Sequence, residues 1–179
     1  MKKNKNKNPL KKVGTALGVG LLAGLAGTIA MTIAQRIEMK MTGRKPSDVP
    51  VKALRELMDV KPVTESKSIS VSNKIHFLYG IDIGMIRGLI SLSGLRGLEA
   101  ISVHFATIWC AELIVLPVLK VSPPVYKQEP KAVFKDALFH WIYAATTGLV
   151  FDWIYDGCSN CNKKEPEDKF SGYRRNTAE

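Results

Sequence analysis

Apolar residues in this chain are gathered into long runs rather than alternating with polar ones. Positions 13–34 hold 22 residues without a charge, and an uncharged run longer than about 18 residues suits a bilayer rather than a soluble core. Three later segments, 75–95, 100–119 and 137–154, have similar length and few charges. The pattern predicts an all-α, polytopic membrane protein of four transmembrane helices. A basic tail (1–12) would precede a membrane domain (13–155), with a polar tail (156–179) after it. The connectors are 35–74, a tight turn within 91–99, and 120–136. In the first, Ser47 or Asp48 can cap a helix starting near Pro50. Val51, Leu54 and Leu57 or Met58 then recur at helical spacing, as in an amphipathic helix on the membrane interface or a solvated loop helix.

An internal repeat divides the chain into two units. His76-Phe77-Leu78-Tyr79-Gly80-x3-Gly84 in the second span is matched 64 residues later by His140-Trp141-Ile142-Tyr143-Ala144-x3-Gly148 in the fourth. The first and third spans share Thr28-Ile29 and Thr107-Ile108, and both lead to proline-containing connectors. The expected architecture is two tandem helical hairpins related by a pseudo-two-fold axis along the membrane normal.

Taken alone, the averages describe a small soluble domain: 46% hydrophobic, 23% charged, and a mean hydropathy of +0.00. The zero arises from apolar spans diluted by basic connectors, which excludes a disordered chain and a secreted disulfide scaffold. The net charge of +10 lies almost wholly outside the spans. It therefore points to a bilayer with anionic headgroups as partner, and not to nucleic acid. Six lysines within the first twelve residues imitate a signal peptide. The apolar run is too long for an h-region, and Thr32-Ile33-Ala34 is a poor cleavage site, so a retained anchor is expected. Lys and Arg number 13 on one side of the four spans and 12 on the other, Arg87 aside. The first helix usually dominates insertion, which favours cytoplasmic termini.

Residues Gly43-Arg44-Lys45-Pro46-Ser47, His76-x2-Tyr79-Gly80-x3-Gly84, Leu116-Pro117 with Pro123-Pro124, and His140-x2-Tyr143 together resemble small four-span bacterial inner-membrane proteins. These are the YagU-like and related families of unknown function. The resemblance covers about residues 13–155 and implies a multi-pass protein of the bacterial cytoplasmic membrane. It brings no catalytic residues with it.

Within the spans, Gly20, Gly24, Gly80, Gly84 and Gly88 mark small-x3-small packing faces, as does Gly14-x3-Gly18. The polar residues are the sharper signal: Asp82, Arg87, Glu112, His104 and Asp152 form a candidate polar core, because intramembrane charges are costly unless paired or functional. Counting depth from the first and third connectors puts Asp82 and Glu112 at one level, with Arg87 about 7.5 Å deeper. Arg87 with Glu112 is either a buried structural pair or, beside Asp82, part of a proton or ion relay. His76 and His140 are either interfacial hydrogen-bonding groups or a ligand pair for haem or a metal. Cys158 and Cys161 form a C-x-x-C without a second pair, which leaves half a metal site, a redox pair or two inert thiols; Cys110 lies in the third span. Trp109, Trp141, Trp153, Tyr79, Tyr143 and Tyr155 mostly flank span ends, as an aromatic belt would. No cofactor is called for. No H-E-x-x-H motif, nucleophile elbow or complete metal cluster appears, so an enzyme ranks third. Ahead of it stand a small-solute, proton or ion transport component and a non-transporting membrane organiser. At 100° per residue Asp82 lies about 160° around its helix from Gly84, which favours a homodimer.

Overall fold

The computed structural model describes residues 9–46, 49–58 and 65–161. Five α-helices run in the order α1 (Pro9–Thr42), α2 (Val49–Met58), α3 (Glu65–Leu92), α4 (Gly97–Val118) and α5 (Pro130–Cys161), with a short 3-10 turn at Val125–Lys127. Pro9 and Pro130 each open a helix, where a missing N–H leaves no bond unmade. Between α3 and α4 the chain reverses over four residues. Gly94 and Gly97 take φ of +94° and +56° there, conformations that side chains with a Cβ rarely adopt.

Three of these helices are long and apolar enough to cross a membrane: Pro9–Thr42, Ile69–Leu92 and Gly97–Val118. α5 has the length but is less apolar, since Asp136, His140, Asp152 and Asp156 lie along it. α3 also begins about ten residues before the expected second span. A helix does not stop where its apolar stretch stops, and Asn73 and Lys74 are accommodated in a helix that continues past it.

α1 is the central element. Ala16, Val19, Gly20, Ala23, Gly24, Gly27, Thr28 and Met31 are its buried residues, a helical stripe wide enough to face two neighbours at once. On one side α3 runs antiparallel to it, with Gly20 against Gly84, Gly24 against Gly80 and Gly84, and Thr28 against Gly80. On the other side α5, also antiparallel, brings Tyr143 and Thr147 to Gly27, and Phe151 to Val19 and Ala23. α4 packs on α5, where Ile101 meets Gly148 and Ile108 joins Met31, Phe139, Tyr143 and Ala144 in one apolar cluster. α3 and α5 therefore run parallel to each other and flank α1. The bundle leaves Leu22, Leu25, Ile29, Ile33, Ile114, Leu149 and Trp153 exposed, an apolar exterior of the kind a bilayer covers.

The contact between α1 and α3 is made backbone to backbone. A Cβ at Gly20 would stand 2.6 Å from the Gly84 carbonyl oxygen, and one at Gly24 2.8 Å from that of Gly80. Gly14 and Gly18 face open space, so only part of α1's glycine pattern is used in this contact. α2 is a helix, and it rests Val51 on the rest of the fold against α3 while Leu57 and Met58 remain exposed. Its proposed caps, Ser47 and Asp48, lie outside the described residues.

Candidate functional site

Two layers of paired polar residues lie at opposite ends of the bundle. In the first, Arg87 of α3 is fully buried, and its Nη2 lies 2.5 Å from Oδ1 of Asp152 on α5. The guanidinium stacks over the Phe151 ring at 4.5 Å, a favourable cation–π geometry. The other carboxylate oxygen, Oδ2, accepts a 3.2 Å hydrogen bond from the backbone N–H of Gly97, the first residue of α4. One turn further along α5, Arg96 pairs with Asp156 at 2.7 Å across an exposed surface. Asp152 thus fastens the ends of α3 and α4 to α5. The expectation that Arg87 faces Glu112 or Asp82 is corrected by this geometry.

The second layer joins α4 and α5 at the other end. Oε2 of Glu112 lies 2.5 Å from Nε2 of His140, and Oδ1 of Asp136 lies 3.5 Å from Nδ1 of the same ring. That Nδ1 is also 2.9 Å from the backbone carbonyl of Asp136. The indole N–H of Trp109 donates to Oδ2 of Asp136 at 3.0 Å. One ligand atom from each of Glu112, Asp136 and His140 lies within 4.8 Å of the other two. All three residues are partly buried, and His140 is the most enclosed, at 15% side-chain exposure. Lys135, adjacent in sequence to Asp136, is engaged elsewhere: it pairs with Glu38 of α1 at 2.6 Å, and Glu38 also holds Arg44. Neither Glu112 nor Asp136 pairs with a lysine or arginine among the described residues.

From His140 to Asp152 is twelve residues of one helix, about 18 Å. Asp82, Arg87 and Glu112 therefore do not form one cluster. Depth counted from the first and third connectors fails because those ends of α3 and α4 are not fixed by the chain. The tight turn at the other end is. Measured from that turn, Arg87 is five residues before the end of α3, while Glu112 is fifteen residues beyond the start of α4.

The remaining candidates separate from both layers. Asp82 is exposed on the outer side of α3, near the exposed Leu78, Tyr79 and Leu89. His104 is fully buried midway between the layers, its ring 5.7 Å from that of Tyr143 and the backbone of Ile83 beside it. The Tyr143 hydroxyl donates at 2.6 Å to the carbonyl of Gly80. That bond fixes the register of α3 and α5 and puts His76, one turn before Gly80, level with His140. Nε2 of His76 is buried without a hydrogen-bond partner, close enough to Glu112 and His140 to sense their charges. Cys110 is exposed, and the side chains of Cys158 and Cys161 lie outside the described residues.

Asp136 and Trp109 belong to the site without appearing among the sequence candidates, because a polar residue beside a span and an aromatic residue within one are both ordinary. The available signal was helical spacing, since Asp136 precedes His140 by four residues and shares its face. Beside Trp109 an open apolar hollow of about 480 Å³ is lined by Val125, Tyr126, Pro130, Val133 and Phe134. Compared with known proteins, the chain matches no family model, no curated protein and no solved structure.

Proposed function

We propose that this chain is an integral membrane protein that handles a proton or small cation at the Glu112–Asp136–His140 layer, as a component of ion transport. The observation that carries the reading is the 2.5 Å contact between Nε2 of His140 and the Glu112 carboxylate. Nδ1 lies at hydrogen-bond distance from the Asp136 carbonyl, where it acts as a donor, since a carbonyl oxygen only accepts. Nε2 then carries either a proton or a bare lone pair, and a lone pair at that distance from a carboxylate is repulsive. The contact therefore requires a proton between its two atoms, which makes it a proton-binding position. The arrangement is read as four spans, α5 being the fourth, in two hairpins, α1 with α3 and α4 with α5. Support comes from the parallel course of α3 and α5 and from the matched levels of His76 and His140.

The test is flux in proteoliposomes that carry a pH-sensitive dye and a potassium-set membrane potential. Glu112→Gln removes the charge while keeping the shape, and should abolish cation or proton flux at unchanged protein level. Equal flux in the variant, or none from the wild type, would overturn the reading. One observation favours the rival, a non-transporting organiser that binds other helices, a second copy included. Asp82 stands among exposed apolar residues near the middle of a span, where a carboxylate facing lipid is expensive. A partner helix covering that side would relieve it.

A further inference from the structure

We infer that Glu112, Asp136 and His140 form a binding site for a divalent transition-metal cation of zinc's class. The inference deepens the cation-handling reading and rests on the same site. Three features identify the ion. The first is the donor set: two carboxylates and one imidazole suit zinc, manganese or iron(II), whereas calcium and magnesium prefer oxygen alone.

The second feature is the orientation of His140. Metal-binding histidines almost always donate their remote N–H to a carbonyl, a carboxylate or water, which fixes the tautomer and aims the other nitrogen at the ion. His140 has that arrangement in place, Nδ1 against the Asp136 carbonyl at 2.9 Å and Nε2 towards Glu112. Asp136 is itself held from behind by the Trp109 N–H, as ligating carboxylates are. A zinc ion bonds nitrogen and oxygen at about 2.0–2.2 Å. To admit one at Nε2, the Glu112 carboxylate retreats by about 1 Å and the Asp136 carboxylate, now 3.5 Å from Nδ1, turns towards Nε2; any proton held on Nε2 leaves to water.

The third feature is charge. Two carboxylates with a neutral imidazole carry a charge of −2, and the nearby Lys135 is already committed to Glu38. A divalent cation neutralises the group in a place where uncompensated charge is costly.

The probe is Zn2+ alone, titrated calorimetrically into the full-length, tag-free chain in detergent. All three cysteines are replaced by serine, so that the C-x-x-C cannot bind the metal. Saturable uptake of one ion per chain is expected. His140→Gln and Glu112→Gln should each weaken it by about 10- to 100-fold, the range seen when even the partners behind a ligand are removed. Circular dichroism and gel filtration establish that the variants remain folded. Should they not, Co2+ is added to the cysteine-free parent, where intense visible absorption bands denote a low-symmetry site of few ligands. No saturable Zn2+ uptake, uptake unchanged in both variants, or a Co2+ spectrum identical to that of the aqueous ion would each overturn the inference. Binding is read on solubilised protein and flux in vesicles, so the two ideas fail separately. Flux without zinc binding removes the metal and leaves the proton; zinc binding without flux removes transport and leaves the site.

Discussion

Arg87 has left water completely, and one carboxylate and one aromatic ring hold it in place. Removing one partner of a buried ion pair strands the other, at a cost of about 3–5 kcal/mol. Arg87→Met is therefore expected to lower stability strongly, and Asp152→Asn in the same chain to restore part of the loss. Glu112→Gln, about 18 Å away along the bundle, should add independently to Arg87→Met, since sites further apart than about 10 Å rarely couple. Melting of the detergent-solubilised single and double variants measures all three terms. A non-additive Arg87–Glu112 pair with an additive Arg87–Asp152 pair would reverse the assignment. The sequence already exposed Arg87 as a charge in need of a partner, and both Asp152 and Glu112 as carboxylates within spans. It could not choose between them. The choice depends on the register of four helices, and that is set by contacts far apart in the chain, such as the Tyr143 hydroxyl on the Gly80 carbonyl.

At the level of helices, the glycines of α1 and α3 divide into two kinds that spacing alone does not separate. Gly20, Gly24, Gly80, Gly84 and Gly88 lie along the α1–α3 contact, and Gly14 and Gly18 face outward. An added methyl group at Gly84 would overlap the carbonyl of Gly20 and the backbone of Gly24, atoms that move only if the helices separate. Gly84→Ala should cost about 1–3 kcal/mol, as overpacking does, whereas Gly18→Ala should be neutral or slightly stabilising through helix propensity. Thermal melting of the two variants side by side checks this, and equal effects would mean that the close approach is not maintained. Helix identity was legible from the long apolar runs, and α2 from the spacing of Val51, Leu54 and Leu57. Helix ends were not. α3 and α5 extend beyond their apolar segments because a helix needs no apolar residues to continue, and depth counted from such ends carried an error of several residues.

At the scale of the whole molecule, three helices are long and apolar enough to cross a membrane, and the question is whether α5 crosses with them. Between His140 and Asp152 the helix has eleven uncharged residues, about 16 Å, and a bilayer core is about 30 Å thick. That stretch alone is too short. The bundle lengthens it: Asp152 is paired with Arg87 and His140 with Glu112, so neither residue presents an uncompensated charge to lipid. The effective apolar length then runs from 137 to 155, nineteen residues or about 28 Å, nearly enough to span. We propose that α5 spans through its partners, as a fourth crossing that hydropathy read helix by helix undervalues. Single cysteines in a cysteine-free background decide the matter with a membrane-impermeant maleimide. Lys131→Cys and Gly157→Cys should label from opposite faces of the membrane, Leu10→Cys from the same face as Gly157→Cys, and the outward-facing Leu149→Cys from neither. Labelling of Leu149→Cys as readily as Lys131→Cys, or of Lys131→Cys and Gly157→Cys from one face, would make α5 a helix that lies against the membrane. The Glu112–His140 layer would then sit at a surface with no far side to deliver an ion to.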